Sequence, residues 1–141
     1  MSRSSPPSTR TSDSADAIAR ISHTCRQAIA GKLATRQLAR WVDGFAIGET
    51  DFRLLWDLFA ADAQATAMPM FDQAALAERL AISAAQVSGM VERLRARNLV
   101  SRPSIDGDRR RQFWQLTASG QTLVREIIAT VDASAGAGQA G

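Results

Sequence analysis

The apolar positions of this chain change period once, and the change marks its main feature. From Asp72 to Asn98 they recur at steps of three and four, as on helices; from Leu99 to Leu116 they fall into two short runs, as on strands. Asp72 is placed to cap a first helix whose inner face carries Leu76 and Leu80. Ile82-Ser83 reads as the turn. Ser83 and Gln86 form an S-x-x-Q capping box that opens a second helix. On that helix Val87, Met90, Val91, Leu94 and Asn98 share one side, and Ala85, Gly89, Glu92, Arg93 and Ala96 share the other. The outer side is small-sided, so a bulky partner can approach its backbone. Leu99-Val100-Ser101-Arg102 then reads as a strand stopped by Pro103, and Gln112 to Leu116, with Phe113 and Trp114, as a second. Ile105-Asp106-Gly107-Asp108 is the turn between them, and Arg109-Arg110-Arg111 leads out of it.

The same periodicity places helices on both sides of this unit. Residues 15–45 read as one long helix or two joined helices, with Ile18, Ile21, Cys25 and Ile29 on one stripe, then Leu33, Leu38, Trp41, Val42 and Phe45, and with Gly31 as a candidate kink. Gly48 is an acceptable cap for a helix from Glu49 to about Ala61, in which Asp51 suits the positive helix end and Phe52, Leu55, Trp56 and Phe59 are the expected core. Residues 62–70 read as a loose link. Thr117 can cap a last helix carrying Leu123, Val124, Ile127, Ile128 and Val131. The Ser, Thr and Pro content of residues 1–14 and the Ala-Gly run of residues 132–141 read as disordered tails.

Two helices joined by a tight turn, the second presenting its outer face, match the pattern that enters a DNA major groove. A basic hairpin beside them is a wing, and arginine there suits a narrow minor groove. The fold class expected is therefore mainly α (α+β), a winged helix-turn-helix. Near the start of the second helix Ala84, Ala85, Gln86, Ser88 and Gly89 are the candidate DNA-facing residues. Gln86 and Ser88 are the side chains best placed to reach base edges or phosphates, and Arg93, one turn further on, is a candidate phosphate clamp. Arg109, Arg110 and Arg111 are the candidate wing cations.

The chain resembles the MarR family of bacterial winged-helix regulators. The resemblance rests on Leu76-Ala77-Glu78-Arg79-Leu80, Val87-Ser88, Val91-Glu92-Arg93-Leu94, Leu99-Val100-Ser101-Arg102, Asp108-Arg109-Arg110, Leu116-Thr117 and Gly120, with Phe52 to Leu58 upstream. It covers roughly residues 15–131. It implies a single regulator domain over 15–131, with a DNA-binding module at 49–117 and dimerisation helices at 15–45 and 118–131. It also implies that Asp108 orients the wing arginine, although a turn role serves that residue equally well. The family usually has a further C-terminal helix, which is not expected after Val131. Dimerisation is therefore assigned to the two leftover apolar stripes, Ile18, Ile21 and Ile29 with Ile127, Ile128 and Val131.

Composition narrows the remaining classes. The 141 residues suit one domain, or one subunit that shares its core with a partner. Net charge is only +3, yet Arg93 to Arg111 holds seven arginines against two acids, so the basic character gathers on the DNA-facing unit. One cysteine and one histidine, two apart on a helix, cannot chelate together, so no metal is expected. Cys25, on the apolar stripe of a chain without tyrosine, is expected to be a buried structural thiol rather than a redox switch. There is no Gly-rich phosphate loop and no nucleophile elbow, so neither an enzyme nor a cofactor is expected. No stretch approaches the about 18 apolar residues of a membrane span, and the N-terminus lacks the apolar core of a secretory signal. The expectation is a cytoplasmic homodimer on a pseudo-palindromic operator, a repressor by default through steric exclusion, with activation left open. By the same resemblance, the apolar surface between the long helices and the winged module could hold a small aromatic or lipophilic effector. The rival from another class is a winged-helix adaptor that binds protein.

Overall fold

The computed structural model describes residues 7–64, 71–102 and 113–140. The chain divides into two compact units, residues 1–38 and residues 39–141. The elements in order are α1 (Pro7–Val42), α2 (Glu49–Gln64), α3 (Gln73–Leu80), α4 (Ala84–Ala96), β1 (Val100–Ser101), β2 (Gln115–Leu116) and α5 (Ala118–Ala140). The class is mainly helical with one small antiparallel sheet, as expected.

Both terminal helices overrun the expected bounds. α1 begins at Pro7, not at residue 15, and passes Gly31 without a break. Proline is favoured in the first turn of a helix, where its missing N–H has no intrahelical partner to lose, so Pro7 is a start signal that the Ser/Thr-rich composition concealed. α5 continues beyond Val131 to Ala140 instead of ending there. Alanine has the highest intrinsic helix propensity, and it outweighs the two glycines of this stretch, each costing about 1 kcal/mol. A C-terminal helical extension is thus present as the continuation of α5, where none was expected.

The first unit holds the helical residues 7–38, and four of its large apolar side chains are exposed. Ile18, Ile21, Ile29 and Leu33 are 64%, 63%, 60% and 55% exposed. Cys25 is exposed too, which overturns the expectation of a buried thiol. The stripe of isoleucines predicted a covered face, and among the described residues none covers it.

The second unit contains the core. Leu54, Leu55 and Leu58 of α2, Leu76 and Leu80 of α3, Val87, Met90, Val91 and Leu94 of α4, and Leu99, Val100, Trp114, Leu116 and Val124 form one buried cluster. The apolar side chains expected inward, Leu76 and Leu80 on α3 and Val87, Met90, Val91 and Leu94 on α4, are inward. On α2 the buried edge is Leu54, Leu55 and Leu58, one stripe over from the aromatic positions. Phe52 is still buried, Phe59 is half-buried, and Trp56 is 43% exposed, against expectation. Trp56 packs between its neighbours, 6.2 Å from the Phe52 ring and 5.7 Å from the Phe59 ring. Aromatic side chains at i, i+4 and i+7 satisfy one another along the helix surface, so the position reads as core without being core.

Each helix of the central pair is closed by side-chain and backbone bonds. Asp72 accepts from the Ala75 N–H at 2.8 Å. The C-terminus of α3 turns on Ala81, in the left-handed region at φ 56°, so that Ala81 donates to the Glu78 carbonyl and Ile82 to the Ala77 carbonyl. α4 ends in the same way around Asn98 at φ 60°, with Asn98 donating to Arg95 and Leu99 to Leu94. Asn98 therefore stands outside α4, not on its inner face; asparagine tolerates positive φ better than most side chains and stops the helix there.

The sheet pairs Val100 with Leu116 and Ser101 with Gln115. Trp114 extends it on the other side by donating its N–H to the Phe71 carbonyl at 3.0 Å. The sheet is fixed to α5 at one joint. The Leu99 carbonyl accepts the Thr117 N–H at 3.1 Å, and the Thr117 hydroxyl donates to the Asn98 carbonyl at 2.6 Å while accepting the Gly120 N–H at 3.0 Å. Thr117 thereby caps α5, as its position in the sequence predicted. A Cβ on Gly120 would collide with the Leu99 carbonyl oxygen. Gly120→Ala is expected to destabilise the fold by about 3 kcal/mol, the upper range for overpacking, because the atom it strikes is backbone. Urea denaturation of the variant beside the parent measures this.

Candidate nucleic-acid interface

The surface that could meet a nucleic acid is built from the N-terminus of α4 outward. Ser83 accepts the Gln86 N–H at 3.1 Å through its hydroxyl, and the Gln86 side chain accepts the Ser83 N–H at 3.0 Å. The capping box read from the sequence is formed. It has a consequence for the candidate residues: the Gln86 side chain is engaged in the cap. Ala84, Ala85, Gln86 and Ser88 are exposed and Gly89 is half-buried, so all five sequence-predicted positions lie on the accessible side of α4. Past the cap the outer face carries only Ala85, Gly89, Glu92 and Ala96 at its centre, which leaves the helix backbone approachable.

The arginines of this region are mostly held. Arg93, the candidate phosphate clamp, places Nη2 3.1 Å from the Asp51 carboxylate on α2. Its guanidinium passes over Gly89, whose missing Cβ would sit 3.4 Å from Nη1. A Cβ at that distance would be in ordinary van der Waals contact with the flexible end of Arg93, so the contact does not itself require the glycine, which costs about 1 kcal/mol relative to alanine inside a helix. Arg97, one turn on, donates to the Ala46 carbonyl and, at 3.5 Å, to the Phe45 carbonyl. Residues 43–46 expose these oxygens because α1 has ended at Val42 and the chain turns through Gly44 and Ala46 at positive φ. The sequence reading, which ran the helix to Phe45, missed this brace; the Gly44 signal could have shown it.

The root of the hairpin is joined to α4 by a second set of contacts. Arg102, next after β1, places Nη2 3.5 Å from Glu92, and its guanidinium lies 4.6 Å from the centre of the Trp114 ring. Arg79 makes a similar arrangement on α3, 3.3 Å from Asp57 and 4.9 Å from the Phe71 ring centre. Sequence reasoning named none of these pairs; Arg79 and Asp57, 22 residues apart, and Arg93 and Asp51, 42 apart, leave no local signal. Asp108, Arg109, Arg110 and Arg111 lie outside the described residues.

Of the residues assigned to dimerisation, Ile18, Ile21 and Ile29 are open, Ile128 is 39% exposed and Val131 is half-buried. Ile127 is only 1% exposed within its own chain, so it is a core residue and not a free interface position. Among the described residues no group of three or more His, Cys, Asp and Glu side chains could hold a metal ion, and no helix is long and apolar enough to cross a membrane.

A helix pair with capped turn, an accessible second helix and a strand pair bracketed to it define a winged helix-turn-helix protein. The comparisons with known proteins sharpen that class. The sequence profile of the MarR family matches residues 65–111. The HTH-type transcriptional repressor NicR of Pseudomonas putida is 43% identical over 56 residues, 40% of this chain. The match spans 35% of NicR, about a third of its length. Among solved structures, the Staphylococcus aureus MepR–DNA complex is similar at a TM-score of 0.60 and 21% identity, covering 83% of this chain and 89% of that one. MepR bound to ethidium bromide is similar at 0.58 and 24% identity, covering 82% and 78%.

Ser83 is the residue on which the start of α4 depends. Ser83→Ala is expected to cost about 1 kcal/mol of unfolding free energy by removing the cap, and Ser83→Asp to restore most of it. Chemical denaturation of the two variants checks the difference.

Proposed function

We propose that this chain is a DNA-binding transcriptional regulator, a repressor by default, that acts as a homodimer on a pseudo-palindromic operator. The observation that carries the reading is the outer face of α4. Small side chains at Ala84, Ala85 and Gly89 and a single hydroxyl at Ser88 leave the helix start open, and a helix N-terminus with approachable backbone suits a phosphate. The Glu92–Arg102 contact ties α4 to the end of β1, which in sequence precedes Arg109, Arg110 and Arg111, and the proposal presents both to one duplex. NicR is named a transcriptional repressor, and MepR is found with DNA. A regulator of chromosomal genes works in the cytoplasm. Ethidium bound to MepR accords with a planar aromatic effector here.

DNA binding separates this reading from a protein-binding adaptor. Affinity for a duplex obtained by in vitro selection should fall steeply with salt through counterion release. An apolar adaptor contact would show almost no salt dependence, and that result would refute the proposal. Within it, replacing Arg109 and Arg110 by alanine should weaken binding and lower the log–log salt slope by about one for each phosphate that is no longer neutralised. An electrophoretic mobility-shift titration over a range of salt concentrations reads both quantities.

The dimer is assigned to the exposed stripe of α1. Four large aliphatic side chains more than half exposed on one helix are too apolar to remain in water. Ile21→Glu combined with Ile29→Glu should halve the mass measured by light scattering and leave residues 39–141 folded by circular dichroism. Charge on Ile127 would not test the interface, because it would disrupt the core of the chain itself.

A further inference from the structure

The arginines of α4 do not share one environment, and the difference divides the helix into two flanks. Gln86, Gly89, Arg93 and Arg97 recur at steps of three and four and so line one flank. Every long side chain on it is engaged: Gln86 in the cap, Arg93 on Asp51, Arg97 on the Ala46 and Phe45 carbonyls. This flank is turned to α2 and the turn that precedes it. Ser88 and Arg95, two helical turns apart, line the opposite flank. Glu92, between them in sequence, bonds Arg102 at the end of β1, so this second flank is the one beside the hairpin. Arg95 is exposed, and among the described residues no hydrogen bond, ion pair or ring contact involves its side chain; its backbone carbonyl accepts the Asn98 N–H.

We infer that Arg95 is the arginine with which α4 contacts a DNA phosphate, and that Arg93 and Arg97 are bolts which hold the helix in place. The inference rests on the DNA-binding reading above. Its physical basis is the cost of exchange. A phosphate recruiting Arg93 must separate it from Asp51 and leave that carboxylate unpaired near a polyanion. A phosphate recruiting Arg97 must strip two main-chain carbonyls of their donor. A phosphate meeting Arg95 displaces only water and counterions, and that displacement is the source of salt-dependent affinity. Arg95 also lies on the same flank as the candidate base-contacting Ser88, so one strand of the duplex backbone can run past both. Sequence alone favours Arg93, because spacing cannot show that Asp51, 42 residues away, already occupies it.

The test compares single neutral variants on a fluorescent duplex selected in vitro with the parent chain. Arg95→Gln should lower the log–log salt slope by about one and leave the thermal midpoint unchanged, and Arg95→Lys should restore the slope. Arg93→Gln and Arg97→Gln should lower the thermal midpoint and leave the slope of the folded protein as in the parent. Asp51→Asn should behave like Arg93→Gln in stability. The inference is overturned by a parental slope for Arg95→Gln. It is equally overturned by a slope lowered by one in Arg93→Gln at an unchanged midpoint, which would make Arg93 the contact. If the parent selects and binds no duplex, the DNA-binding reading fails and takes the inference with it; a parent that binds with a normal salt slope while Arg95→Gln matches it overturns the inference alone.

Discussion

The carbonyl oxygen of Leu99 is the point on which the second unit closes. It ends the turn that leaves α4, receives the Thr117 N–H, and lies so near the Gly120 backbone that no side chain fits between them. Three elements therefore meet there with backbone against backbone, the Thr117 hydroxyl bridging them: the exit of α4, the end of β2 and the first turn of α5. A two-stranded sheet of two residues each cannot hold itself together in water. Here it is held from both sides, by this joint and by the Trp114 N–H on the Phe71 carbonyl, while Leu99, Val100, Trp114 and Leu116 bury their side chains in the common core. The geometry of the hairpin root follows from α5 as much as from its own pairing.

From that joint the accessible face of α4 is set by a frame of charged contacts. Asp51 and Glu92 hold Arg93 and Arg102, and the turn at residues 43–46 holds Arg97. Each such pair is solvent-accessible and individually weak. Their effect lies in direction, since they act on opposite flanks of one helix that is already packed on α3 through Leu76, Leu80, Val87 and Val91. The core fixes where α4 lies, and the charged frame limits its rotation about its own axis.

Much of this was legible in the sequence because it is local. The Asp72 cap, the Ser83–Gln86 box, the Thr117 cap and the inward stripes of α3 and α4 are each specified within four residues, and each is found as read. What was not legible is of two kinds. Ion pairs such as Arg93–Asp51 and Arg79–Asp57 join residues that only the fold brings together. Residues such as Trp56, Cys25 and Ile127 have the right chemistry for the wrong environment: a periodic apolar stripe shows which residues share a face, and not whether that face meets the chain's own core or solvent. The helix ends at Pro7 and Ala140 were hidden by composition, where Ser, Pro and Gly suggested tails and local propensity prevailed.

The Arg97 brace has an implication for how this protein can vary. Arg97 bonds two main-chain oxygens and no side chain of residues 45 and 46. Main-chain acceptors are supplied by every amino acid, so mutation at these two positions can drift freely wherever the turn itself survives, and the brace persists. The obligation falls on one partner alone. A lineage could remodel the entry to α2 extensively and still keep the pitch of α4, provided it never lost the guanidinium at position 97.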